Sequence, residues 1–188
     1  MPGPGGRPLA TERAVAVFGS SDPVEGDPDY ALARRVGDLL GREGFLVVTG
    51  GYAGVMEAAS RGAVEAGGRA LGITSSALSP LRASPNRWLT DHIETIDLFE
   101  RTRELMNRSQ GYIILPGKAG TLAEVTFLWA LHRARLLGER PIALLGSPWR
   151  GFLEGVGTLG LLDRAQFDVT HLADTPEDAV ALMVRRIP

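Results

Sequence analysis

Leu115-Pro116-Gly117-Lys118-Ala119-Gly120-Thr121-Leu122-Ala123-Glu124 holds the residue types best placed for chemistry. An apolar run at 112–115 delivers the backbone into a glycine turn, and a helical pattern follows it. Gly117 and Gly120 lack side-chain bulk, so backbone N–H groups there can approach a ligand closely, and the positive end of the following helix favours an anion. Thr121 adds a hydroxyl and Glu124 a carboxylate one helical turn further on. The same residues admit a purely structural reading, because Thr121-x-x-Glu124 also fits a capping box that satisfies free N–H groups at a helix start.

Two further runs end in the same way. The run at 45–48 passes through Thr49 into Gly50-Gly51-Tyr52-Ala53-Gly54 and then into a helical pattern, and the run at 14–18 ends in Gly19-Ser20-Ser21. Three strands that close in small, amide-rich turns predict one crevice at the carboxyl edge of a parallel sheet. Lys118, the chain's single lysine, sits inside the third turn, where an ammonium would stand beside a bound phosphate.

The elements that must carry these turns alternate in a βαβ rhythm. Strands are predicted at 14–18, 45–48, 69–73, 92–96, 112–115, 141–145 and 167–172. Helices are predicted at 30–43, 54–66, 98–108, 121–137, around 149–156, and at 176–186 with Thr175 as N-cap. Such a series predicts an α/β fold, a Rossmann-like, doubly wound open parallel sheet with helices on both faces. Within 121–137, Leu122, Val125, Trp129, His132 and Leu136 form the expected inward stripe, and Leu128, Trp129 and Leu131 suggest a self-association surface. Residues 74–91 are expected to form a long loop that serves as a lid or partner contact. Residues 1–12 read as a flexible arm ahead of one nucleotide-binding domain over 13–188.

The 188 residues, 44% hydrophobic and 22% charged, suit one globular domain, and a net charge of −2 gives no case for wrapping nucleic acid. No cysteine is present, so disulfides, thiolate metal sites and a cysteine nucleophile are excluded. No apolar stretch has the length of a membrane span, and the start lacks the apolar segment of a signal peptide, which predicts a cytoplasmic protein. His92, His132 and His171 lack metal-ligand spacing, so no metal site is expected. His92 lies near enough to the 74–91 loop to approach a bound base. Neither GxGxxG nor the Walker A spacing occurs, so the glycine turns match neither of the two familiar nucleotide fingerprints.

Taken together, the turns resemble the LOG ("lonely guy") family, also called lysine-decarboxylase-like, whose members are phosphoribohydrolases acting on nucleoside 5′-monophosphates. The family's PGGxGTxxE signature matches at Pro116, Gly117, Gly120, Thr121 and Glu124, and Leu98-Phe99-Glu100-Arg101-Thr102 aligns with the arginine segment before it. Gly19-Ser20-Ser21 and the residues from Gly50 to Met56 resemble the other two family loops. Two departures stand out: Lys118 replaces the second signature glycine, and Thr102 replaces the lysine after the family arginine. Glu57 and Arg61-Gly62-Ala63 look closer to a sister branch that includes proposed molybdenum-cofactor carriers.

The resemblance implies hydrolysis of the N-glycosidic bond of a purine nucleoside 5′-monophosphate, AMP or an N6-modified AMP, to free base and ribose 5-phosphate. It implies catalytic roles for Arg101 and Glu124 and a binding role for Gly19, Ser20, Gly50, Gly51, Gly54, Gly117, Lys118, Gly120 and Thr121. Without the alignment, Arg101 reads as a solvated helix arginine beside Arg103 and Arg108 rather than as a catalytic group. A homodimer whose partner completes the pocket is also implied, with no cofactor. The alternative is a non-catalytic nucleotide or molybdopterin-type carrier that grips the same phosphate. A pyridoxal-phosphate decarboxylase is set aside, because the only lysine available for a Schiff base lies in the phosphate turn.

Overall fold

A computed structural model describes residues 12–78, 84–162 and 164–188. Seven strands form one sheet: β1 (Ala14–Phe18), β2 (Leu46–Thr49), β3 (Arg69–Ser75), β4 (Asp91–Thr95), β5 (Gly111–Ile114), β6 (Ile142–Leu145) and β7 (Thr170–Ala173). Their order across the sheet is β4-β3-β2-β1-β5-β6-β7, and every pairing is parallel. The helices are α1 (Pro28–Arg42), α2 (Val55–Glu65), α3 (Leu98–Asn107), α4 (Ala119–Arg133), α5 (Pro148–Thr158), α6 (Arg164–Val169) and α7 (Pro176–Arg186). Among the described residues, no helix is long and apolar enough to cross a membrane.

Parallel strands buried on both faces need apolar residues at every position, which is why they appear in the sequence as unbroken runs. Along β1, Val15 and Val17 join the core beneath α1, α2 and α7, while Ala14, Ala16 and Phe18 join the core beneath α3, α4 and α5. The chain moves outward in one direction from β1 to β4 and in the other from β5 to β7. The order therefore reverses between β1 and β5, and that junction is the topological switch point where α/β sheets hold ligands.

Several expectations are corrected. Residues 167–169 are helical rather than extended, because the Thr170 hydroxyl donates to the Gln166 carbonyl at 2.7 Å and closes a turn of α6 before β7 starts. Helix α4 begins two residues early, at Ala119, and stops at Arg133, since Arg135 turns into the left-handed region at φ 59°. Leu136 consequently leaves the expected stripe and is 71% exposed. Leu128 and Trp129 are buried and Leu131 packs against the same core, so these three residues do not offer a self-association surface. The Trp129 indole donates to Thr170 Oγ1 at 2.9 Å, which locks α4 onto β7.

The expected loop begins later than residue 74, because Thr74 and Ser75 complete β3. Its residues 79–83 lie outside the described part, as does the expected amino-terminal arm except Glu12. That carboxylate pairs with Arg69 at 2.6 Å, and Arg69 also reaches Asp91 Oδ2 at 2.8 Å. The Arg69 guanidinium, aided by the Thr90 hydroxyl, holds the Asp91 carboxyl below its ordinary value. A carboxyl depressed in the folded chain stabilises it above the unfolded pKa, about 3.9, and loses that effect as pH falls through the folded value. Asp91→Asn is therefore expected to lower stability by about 0.5 kcal/mol at pH 7, since the pair is half exposed, and to have a smaller effect at about pH 3, below the unfolded pKa. Denaturant melts at both pH values check this.

Candidate functional site

At the switch point, the turns after β1 and β5 are joined through their backbones. Leu115 N–H donates to Phe18 O at 2.9 Å, and Ser20 N–H donates to Pro116 O at 3.2 Å. The Ser20 carbonyl in turn accepts from Val55 N–H at 2.9 Å, tying the β1 turn to the start of α2. Gly51 and Gly54 hold φ of +78° and +74°, backbone that favours glycine, and a Cβ on Gly54 would lie 2.5 Å from the Ser20 carbonyl oxygen. Gly19 leaves room for the Val55 side chain, whose methyls would stand 2.8 Å from an added Cβ. All three expected turns therefore meet at one edge.

They do not contribute alike. Gly51 N–H already donates to Thr49 Oγ1 at 3.2 Å, and both backbone polar groups of Ser20 are engaged within the scaffold. Ser20 Oγ accepts from Asp22 N–H at 3.2 Å, which leaves its hydroxyl proton for a ligand. The turn after β5 is different. Helix α4 starts at Ala119 with Lys118 as N-cap, and the cap side chain makes no capping bond. Thr121 is thus the third helical residue, so the capping-box alternative is not formed. The first-turn N–H groups of a helix have no intrahelical acceptor, and here they open towards the crevice edge together with the helix dipole. Gly117 must stay bare, because a Cβ would meet Thr121 Oγ1 within 2.2 Å. An added Cβ on Gly120 would meet nothing within 4 Å, so that position faces open space. Thr121 itself is buried under Gly117 rather than standing at the mouth.

Arg101 enters from α3 and is anchored rather than solvated. Its Nε donates to Ile73 O at 2.8 Å and its Nη2 to Gly50 O at 3.0 Å, while the guanidinium carbon lies 5.7 Å from the Tyr52 ring centre. Gly50 makes this possible, since a Cβ there would sit 1.8 Å from Nη2. The Tyr52 hydroxyl donates to Ser75 O and accepts from Ser75 N–H, each at 3.1 Å, so the β2 turn and the end of β3 are clamped beneath the guanidinium. Glu124 stands half-buried on α4, on the flank between the buried Thr121 and Leu128. The arrangement supplies a fixed positive charge, a carboxylate and a turn of helix amides at one edge of the sheet.

Lys118, expected beside a phosphate, pairs with Asp22 in the β1 turn. Thr102, where the family has lysine, donates to Leu98 O at 2.8 Å within its own helix. Glu57 faces the Tyr30 hydroxyl at 3.5 Å, and Arg61 pairs with Glu25 at 2.7 Å and Glu65 at 2.9 Å while lying 5.2 Å from the Trp88 ring centre. These sister-branch residues brace α1 and α2. His92 is tied to Thr74 Oγ1 at 2.7 Å. Among the described residues, no group of three or more His, Asp or Glu is placed to hold a metal ion.

Sequence reasoning missed Asp22, Tyr52 and Asn86. Asn86 covers the β2 turn, with its N–H donating to Gly51 O at 2.9 Å and its Nδ2 to Tyr52 O at 3.1 Å. The available signals were an acid directly after the Gly19-Ser20-Ser21 turn and an aromatic hydroxyl inside a glycine turn.

Several known proteins are similar to this chain in sequence or in fold. The cytokinin riboside 5′-monophosphate phosphoribohydrolase of Mycobacterium tuberculosis is 29% identical over 180 residues, covering 88% of this chain and 90% of that protein. Among solved structures, the molybdenum cofactor binding protein of Rippkaea orientalis superposes with a TM-score of 0.74 at 24% identity, covering 95% of this chain and 99% of the other. The molybdenum cofactor carrier protein of Chlamydomonas reinhardtii gives a TM-score of 0.72 at 25% identity, covering 94% and 99%. The SLOG cluster4 family model matches residues 12–141, the span that carries all three turns, Arg101 and Glu124. The chain belongs to the SLOG cluster4 family, within the LOG group of proteins.

Proposed function

We propose that this chain hydrolyses the N-glycosidic bond of a purine nucleoside 5′-monophosphate, AMP or an N6-modified AMP. The observation that carries this reading is the anchored guanidinium of Arg101 at the same sheet edge as Glu124 and the α4 amides. A nucleotide whose phosphate rests on the first turn of α4, at Gly117, Gly120 and Thr121, places its ribose toward the next turn, where Glu124 stands. Gly19, Gly50, Gly51 and Gly54 let Val55, Arg101, Thr74 and the β1 turn close around that seat, Ser20 contacts the phosphate or ribose, and Lys118 contacts the phosphate.

Breaking the C1′–N9 bond leaves positive charge on the ribose and an electron pair on the departing base. Glu124 stabilises the cation and accepts a proton from the attacking water, whose oxygen bonds to C1′. Arg101, permanently charged, stabilises negative charge on phosphate or base and donates no proton. The base takes up a proton from solvent, and the products are free base and ribose 5-phosphate.

A second reading, a carrier that holds a phosphorylated ligand without breaking it, is favoured by Lys118 and Thr102 and by the two carrier-like structures. Incubating the protein with AMP and with N6-isopentenyl-AMP and quantifying free base by chromatography separates the two. The hydrolase reading expects base and ribose 5-phosphate in equal amounts; tight nucleotide binding with no base released supports the carrier. The homodimer implied by the family is carried forward as part of this proposal. Sedimentation at twice the chain mass supports it, and sedimentation at the chain mass contradicts it.

A further inference from the structure

The chain's single lysine occupies the N-cap of α4 and reaches across the crevice mouth to Asp22, in the turn that follows β1. Both side chains are well exposed, 79% for Lys118 and 55% for Asp22, and pairs in that setting contribute little to stability. The pair therefore does little as a brace. Its position is more telling. It joins the two turns that flank the switch point, and Asp22 is itself oriented by the bond from its N–H to Ser20 Oγ at 3.2 Å. A lysine ammonium is a compact charge on a flexible stem, free to exchange one anion for another nearby.

We propose that Asp22 is the resting counter-ion of Lys118, and that a phosphoryl dianion seated on the α4 turn takes the lysine from it. This inference rests on the phosphate placement proposed above. An unphosphorylated ligand offers nothing that displaces a carboxylate, so the pair stays closed. A dianion carries more charge than the carboxylate and sits beside the lysine's own N-cap, so the ammonium transfers and the mouth opens. Asp22 and Lys118 together thus set a preference for phosphorylated over unphosphorylated ligands. Lysine in place of the second signature glycine adds the attracting charge, and Asp22 keeps that charge from serving weaker anions.

The test is calorimetric titration of the full chain, wild type, Lys118→Met and Asp22→Asn, with AMP, adenosine and inorganic phosphate at pH 7.5. Lys118→Met is expected to weaken AMP and phosphate about tenfold and to leave adenosine unchanged. Asp22→Asn is expected to tighten AMP and phosphate about threefold, again without effect on adenosine. Equal shifts for AMP and adenosine, no shift for AMP, or weaker AMP binding in Asp22→Asn would each overturn the exchange. If phosphate binding shows these shifts in the two variants yet wild type does not bind AMP, the nucleotide reading falls and the exchange stands. If wild type binds none of the three, both fall. Both positions are exposed, and circular dichroism confirms that the variants fold.

Discussion

Glu124→Gln is expected to lower kcat for base release by roughly 10²–10⁴-fold while leaving nucleotide affinity within several-fold of wild type. Glutamine keeps the size of the half-buried side chain and its place on the α4 flank, so packing around Thr121 and Leu128 is retained. What disappears is the negative charge opposite the ribose cation and the acceptor for the water proton. An interaction made only in the transition state shows itself in kcat rather than in binding. Steady-state kinetics combined with calorimetric titration of AMP separates the two quantities. Loss of affinity with unchanged kcat would make Glu124 a plain ligand contact.

The second large effect is expected at Gly50. Alanine there places a methyl group 1.8 Å from Arg101 Nη2 and 2.6 Å from Met56 Sδ, so the guanidinium must leave its seat between the Gly50 and Ile73 carbonyls. Gly50→Ala is expected to lower kcat/KM by roughly 10²-fold, close to the loss in Arg101→Ala, because a charge moved by an ångström or more no longer meets the developing anion. The two changes act through one group, so the double variant is expected to match Arg101→Ala instead of multiplying the losses. Independent losses in the double variant would place the role of Gly50 elsewhere.

Most of the scaffold could be read from the chain because central parallel strands have no polar face to hide. The runs at 14–18, 45–48 and 112–115 therefore announce β1, β2 and β5 almost residue for residue. Misreadings fall where long-range partners decide. Residues 167–169 carry apolar types suited to a strand, but the bond from the Thr170 hydroxyl to Gln166 makes them helical. Leu128 reads as surplus beside the expected stripe, and Trp129 reads as both stripe and surface, because the apolar face of α4 is wide enough to bury Val125, Leu128 and Trp129 together.

The glycine turns were legible as a set, since three strand ends with small residues imply a common edge. Their division of labour was not. Ser20 uses its backbone on Pro116 and Val55, and Gly51 uses its N–H on Thr49, while the α4 turn keeps its first amides for the crevice. Ser20 lies 96 residues from Pro116 in sequence number, and no local pattern records such a partner. The same holds for Arg101, which reads as a surface arginine until Ile73, Gly50 and Tyr52 are seen around it.

The most direct test of the account is a crystal structure of Glu124→Gln with AMP bound. The account predicts the phosphate on the N–H groups of the first turn of α4, with the residue 124 side chain turned to the ribose and Arg101 still held by Gly50. A phosphate seated elsewhere, or a residue 124 side chain directed away from the sugar, would contradict it.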